Sequence, residues 1–177
     1  MDNVMLDLET MGTGPNAAII AIGAVAFEPT GGLGSTFYRV VDLASSVEYG
    51  GEIDVSTILW WMKQDDAARK EFARPSIHIQ CALEDFSLWI KGQEFTTRGK
   101  IWGNGAAFDN VILRSAYVRA GIEVPWQYSG DRCYRTIKAT RPDIKVAPTG
   151  TAHNALDDAM HQAKTLISIV TGGVTKM

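Results

Sequence analysis

The sequence is poor in cysteine and histidine, with Cys81, Cys133 and three histidines among 177 residues. Neither cysteine sits in a C-x-x-C pair or at ligand spacing from a histidine. A disulfide framework and a structural zinc site therefore drop out, and the thiols read as buried or incidental ones in a reducing compartment. No apolar run nears the roughly 20 residues of a membrane helix. The acidic start Met1-Asp2-Asn3 is unlike a secretory leader, so a cytoplasmic protein with no membrane partner is expected. Basic charge is also scarce: the formal charge of -3 argues against the broad basic surface of a duplex-coating protein. Repeats, low-complexity tracts and long linkers are lacking too, so the 46% hydrophobic composition reads as one domain over 1–177 with a sizeable core.

What is present begins at the first apolar run, Val4-Met5-Leu6-Asp7-Leu8-Glu9-Thr10, which reads as a strand. Alternate strand residues share a face, so Asp7 and Glu9 project together. Two carboxylates side by side repel and resist desolvation unless a cation sits between them, and hard oxygen ligands suit Mg2+ or Mn2+ better than zinc. The bland reading of the same pair is a solvated strand end. Setting four acids aside for such a site would leave the rest of the chain at +1, which keeps a phosphate-bearing partner open.

Along the chain, Met11 to Asn16 is a turn by composition, Ile19 to Phe27 a buried strand and Ser35 to Val41 a third strand, together an antiparallel meander. Ile53 to Met62 and Asp65 to Phe72 read as short helices, with Ser56 and Asp65 as caps. Trp60 and Trp61 are adjacent and point about 100° apart on a helix, so one belongs to the core and the other is available as a stacking platform for a base, unless both line the core rim. Ile79 to Ile90 is an amphipathic helix, and a short strand at Lys100 to Gly103 runs into Asn104 and a helix that starts near Phe108-Asp109 and ends by Gly121. Asp109 near that N-terminus is held ionised by the helix dipole, by up to about 1 kcal/mol. Asp131 to Thr140 is predicted to be helical. The last helix spans about Ala152 to Val170, with His153 before its first turn and Asp157 and Asp158 inside it. Periodicity does not choose between those two acids.

In order, Asp7-x-Glu9-Thr10, Asn104-x-x-x-Phe108-Asp109 and His153-x-Ala155-x-x-Asp158 resemble the three motifs of the DEDD 3'-5' exonucleases, in the branch whose third motif carries a histidine (DEDDh). Leu8-Glu9-Thr10-Met11-Gly12, Trp60-Trp61-x-x-Gln64 and Gly103-Asn104 are similar to phage exonucleases of the exonuclease A type, and to the exonuclease VIII-like and small bacterial exoribonuclease groups. The resemblance implies a ribonuclease H-like α/β fold, a mixed central sheet of a three-strand antiparallel meander plus parallel strands, flanked by helices.

It also implies a chemistry. Asp7, Glu9, Asp109 and Asp158 would hold two divalent ions, Mg2+ or Mn2+, with Asp157 the spare acid. His153 would take the proton of the attacking water, the commonest role for a side chain that changes charge between about pH 5 and 8. Thr10, Met11 and Phe108, with Asn104 and one of Trp60 or Trp61, would hold the terminal nucleotide. The expected partner is single-stranded nucleic acid, DNA favoured over RNA, with a nucleoside 5'-monophosphate as product, and a homodimer is kept open. An exoribonuclease or oligoribonuclease is the first alternative, a catalytically lapsed binding module the second.

Overall fold

The computed structural model describes residues 1–93 and 99–172. Three strands, β1 (Asn3–Thr10), β2 (Ile19–Phe27) and β3 (Leu33–Val40), form the antiparallel meander. β4 (Lys100–Gly103) adds in parallel to β1 and β5 (Asp131–Cys133) in parallel to β4, giving the order β3-β2-β1-β4-β5. Seven α-helices surround this sheet among the described residues: α1 (Leu43–Glu48), α2 (Val55–Trp61), α3 (Asp66–Lys70), α4 (Ile79–Gly92), α5 (Asp109–Arg119), α6 (Tyr134–Thr140) and α7 (Ala155–Val170).

The alternation within β1 divides the core. Val4, Leu6 and Leu8 face Leu83, Phe86 and Ile90 of α4 and Ile112, Leu113 and Tyr117 of α5. Met5 faces the other way, with Val25 and Phe27, onto Ala159, Ala163 and Leu166 of α7. β2 is covered on both faces, which is why all nine of its residues are buried and why its sequence is a continuous Val/Ile/Ala run with no polar phase. Each large aliphatic side chain buried this way contributes about 1.5–3 kcal/mol. That margin is what lets the end of β1 carry acids at a cost of several kcal/mol for each buried charge.

Several elements depart from the sequence expectation. Asp131 to Cys133 is an edge strand and the helix starts at Tyr134; three residues are too few to show a period, and Asp131 is fixed there by Asn110 Nδ2 and Trp126 Nε1. The last helix starts at Ala155, three residues late, because Asn154 is its N-cap and accepts from the Leu156 and Asp157 amides. α2 is capped at Asp54 rather than Ser56. The short helix α1 arises where the Asp42 carboxylate accepts from Ser45 N, a local cap in a segment without apolar periodicity.

Candidate active site

The acids gather because three elements end at the same place. Asp7 and Glu9 continue the face of Met5, toward α7. β4 stops at Gly103, opposite Leu6, and beyond that point Leu8 N donates instead to Asp109 Oδ1 at 3.2 Å. Gly103 permits this approach: a β-carbon there would run into Asn110 Oδ1 and stand 2.9 Å from Asp109 Cβ. Asn110 in turn donates to Ile101 O and Asp131 Oδ1, both at 2.9 Å, so the start of α5 is fixed across β4 and β5.

α7 supplies the other side. Gly23 pairs with Asp7 across β1 and β2, and a side chain on Gly23 would collide with the backbone of Ala155 and Leu156. The first turn of α7 thus rests directly on the sheet. Just before it, His153 adopts a left-handed backbone conformation, φ 62°, which costs a non-glycine residue roughly 1–2 kcal/mol. Two bonds hold it there: His153 N donates to Asp158 Oδ2 at 3.1 Å, and Asn154 Nδ2 reaches Glu71 Oε2 at 2.7 Å. Asp157 turns the other way and accepts from Thr151 N at 2.8 Å.

Glu9, His153 and Asp158 each place a ligand atom within 4.8 Å of the others. Asp109 is 2% exposed and Glu9 8%. Desolvation by burial, then repulsion from Asp7, Asp158 and Asp109, pushes the Glu9 carboxyl up to about 10. Desolvation raises Asp109 to about 7, although the amides of Leu8, Asp109 and Asn104 and the charge of Arg135 act against it. Asp7 is raised well above the usual carboxylate range by desolvation and by Asp109, and Asp158 is raised mainly by desolvation. The four acids are held together at an electrostatic cost that bound cations would remove.

Two cavities meet at Glu9. One, of about 290 Å3, is polar and lined by Asp7, Glu9, Asn104, Lys138, His153 and Asp158, among others. The second, of about 410 Å3, is largely apolar and includes Leu8, Thr10, Trp60, Trp61 and Phe108. Trp61 is 4% exposed and donates through Nε1 to Thr10 O at 3.0 Å, tying α2 to the end of β1, while Trp60 is 43% exposed. Both indoles meet the His153 ring edge-on, with centroids 5.0 Å away for Trp60 and 5.9 Å for Trp61.

Of the residues expected from the sequence, Met11 is the one the structure does not bring in. Its side chain lines a separate apolar cavity with Leu43, Trp61 and Phe72, because the loop after β1 is turned by Met11 O accepting from Asp54 N and by Thr13 N donating to Asp54 Oδ2. Sequence reasoning missed Gln162, which is 5% exposed and donates through Nε2 to Asp7 Oδ1 at 2.7 Å. The available signal was its spacing: Gln162 follows Asp158 by four positions, on one helix face with it, and interrupts an otherwise apolar stripe.

A sequence profile of the "3'-5' exoribonuclease Rv2179c-like domain" matches residues 2–170. An exodeoxyribonuclease of Enterobacteria phage T4 is 28% identical over 123 residues, an alignment covering 64% of this chain and 54% of that protein, so the chain spans about half the length of that relative. Among solved structures, the nuclease domain of 3'hExo, a DEDDh family member, bound to rAMP superimposes with a TM-score of 0.64 at 16% identity, covering 99% of this chain and 94% of that one. The Mg2+ and Mn2+ bound form of Pop2p from S. pombe gives 0.62 at 15% identity, covering 95% and 82%. At these identities the likeness establishes the fold, the mixed ribonuclease H-like sheet with its flanking helices.

Proposed function

The chain belongs to the Rv2179c-like 3'-5' exoribonuclease domain family, and we propose that it is a metal-dependent 3'-5' exonuclease releasing nucleoside 5'-monophosphates from single-stranded DNA. The observation that carries this reading is the gathering of Asp7, Glu9 and Asp158 around one polar cavity with His153, and of buried Asp109 beside Asp7 at the end of β1. No helix among the described residues is long and apolar enough to cross a membrane.

The residues fit a pair of hard divalent cations. Four oxygen donors converge, each made a weaker acid by burial and, at Asp7 and Glu9, by neighbouring carboxylates, and Gln162 fixes one of them by a hydrogen bond. This matches a carboxylate site with a supporting outer layer. Asp7, Glu9, Asp109 and Asp158 would hold Mg2+ or Mn2+, which supply positive charge to the scissile phosphate and to the oxygen that leaves it.

The chain's own groups do the rest. His153 accepts a proton from the water that attacks phosphorus, a contribution worth typically ~10²–10⁴-fold. A bond forms from that water oxygen to phosphorus and the bond from phosphorus to the upstream 3' oxygen breaks. The phosphate therefore stays on the 5' side of the released nucleotide. The apolar cavity of Leu8, Thr10, Trp60 and Phe108 receives the terminal base and sugar, with exposed Trp60 offering an indole for stacking. A 3' end that must reach recessed acids has to be unpaired.

DNA leads because the phage T4 relative is named for it; RNA is the second reading because the family description names it. Degradation of matched DNA and RNA oligonucleotides, labelled at the 5' end and followed side by side with Mn2+, tests the choice. Faster shortening of the DNA strand is expected, and an RNA strand consumed faster overturns the preference.

A further inference from the structure

Two cations on α6 stand beside the carboxylates with no carboxylate of their own. Lys138 lines the polar cavity with Asp7, Glu9 and Asp158; its Nζ lies 5.7 Å from the centroid of the Tyr134 ring, which carries it there. Arg135, one turn earlier, lies against the loop before α5: a β-carbon on Gly105 would be 3.8 Å from the Arg135 guanidinium carbon. Both side chains are exposed, and neither makes an ion pair among the described residues. Their neighbours are differently occupied, since Arg132 donates to Ser129 O and Asp131 O and Arg141 to Asp143. A helical spacing of three puts Arg135 and Lys138 on one face.

The two cavities give that face a direction. Glu9 lines both: the apolar one suits a base, and the polar one also holds Lys138. A strand whose terminal nucleotide fills the first cavity, with its scissile phosphate over the acids, leaves through the second, across α6. We propose that Arg135 and Lys138 bind the phosphodiester on the 5' side of the scissile bond, and so set the preference for a polynucleotide over a single nucleotide ester. This rests on the exonuclease reading above. Exposed lysines and arginines on a helix are usually only solvated; the cavity that Lys138 shares with buried acids, and the place of Arg135 one turn away against the loop before α5, set this pair apart.

The test compares two substrates with Mn2+ present. A 5'-labelled single-stranded DNA oligonucleotide has the upstream phosphate, and the p-nitrophenyl ester of thymidine 5'-monophosphate has only the scissile one. For the Arg135→Ala/Lys138→Ala double variant, the oligonucleotide-to-ester ratio of kcat/KM should fall about 10-fold at low salt, the scale of a local electrostatic attraction, mostly through KM. The slope of log(kcat/KM) against log salt should flatten by about 0.7 for the oligonucleotide, the value for one single-strand phosphate contact. Lys138→Arg should keep the wild-type ratio. An unchanged ratio and slope, or equal losses on both substrates, overturns the clamp. Failure of the wild type to shorten the oligonucleotide from its 3' end would instead sink the exonuclease reading, a separate outcome.

Discussion

Gly23 stands across the sheet from Asp7, and the space its side chain would take is filled by the backbone of Ala155. The contact sets the height of α7 above β1, and with it the distance of His153 and Asp158 from Asp7 and Glu9. Gly23→Ala should displace the first turn of α7, at the roughly 1–3 kcal/mol typical of overpacking, and should lower activity by more than the loss of folded protein explains. Thermal melts alongside activity per folded molecule check this. A variant with wild-type stability and activity would show that α7 is not seated by this glycine.

Gln162 gives Asp7 its only side-chain donor among the described residues, and that bond lowers an acid which burial and Asp109 raise. Without it Asp7 should hold its proton to higher pH, so the affinity of Gln162→Leu for Mn2+ should fall by about 10–100-fold, the usual cost of losing an outer-layer partner. The deficit should be larger at pH 6.5 than at pH 8.5, as measured by calorimetric titration. An equal deficit at both would mean that Gln162 acts through packing alone.

Glu9, raised to about 10, and Asp109, raised to about 7, titrate near ~4 in an unfolded chain. Between those limits the folded, metal-free protein binds more protons than the unfolded one, so its stability falls as pH rises. The fall contributed by Asp109 is complete by about pH 7, and that by Glu9 continues to about pH 10. In EDTA the melting temperature of the wild type should therefore drop relative to Glu9→Gln as pH is raised from about 5 to 9. Mn2+ should reverse the drop, because cation binding needs the ionised acids. A wild type that gains stability over Glu9→Gln with rising pH in EDTA would contradict the shifts.

The fold was legible where periodicity runs long and opaque where an element depends on distant partners. Asp7 and Glu9 could be placed on one face from β1 alone, and Ala159, Ala163 and Leu166 of the predicted α7 stripe are buried, although Val170 at its end is exposed and Ile169 is buried instead. β5 could not be read, since its three residues are held by Asn110 and Trp126 rather than by any pattern of their own. Met11 was expected at the site from the family resemblance, but its side chain lines a separate cavity, in a loop turned by Asp54. The choice of Asp158 over Asp157 came from resemblance, and the structure adds a physical difference: Asp158 faces Glu9 and His153, whereas Asp157 ties down Thr151. Gly23 carried no signal in the sequence, because a glycine inside a strand does not say which backbone will approach it.

His153 should act on rate alone. His153→Ala leaves the four acids and the apolar cavity in place, so kcat should fall by roughly 10²–10⁴-fold with KM little changed, the pattern of a group felt in the transition state. The left-handed backbone keeps the same cost with an alanine β-carbon, and the bonds of His153 N and Asn154 Nδ2 that hold it remain, so the fold should stay intact, as judged by circular dichroism. A well-folded variant with unchanged kcat would remove His153 from the chemical step.

The most direct measurement follows a single-stranded oligonucleotide labelled at its 5' end through incubation with Mn2+, resolving the strands by length and the released nucleotides by mass. A ladder that shortens one residue at a time from the 3' end is predicted, with nucleoside 5'-monophosphates accumulating. EDTA or Asp158→Asn should abolish it, and Asp157→Asn should leave most of it. Internal cuts, nucleoside 3'-monophosphates, or undiminished turnover in EDTA would contradict the site described here.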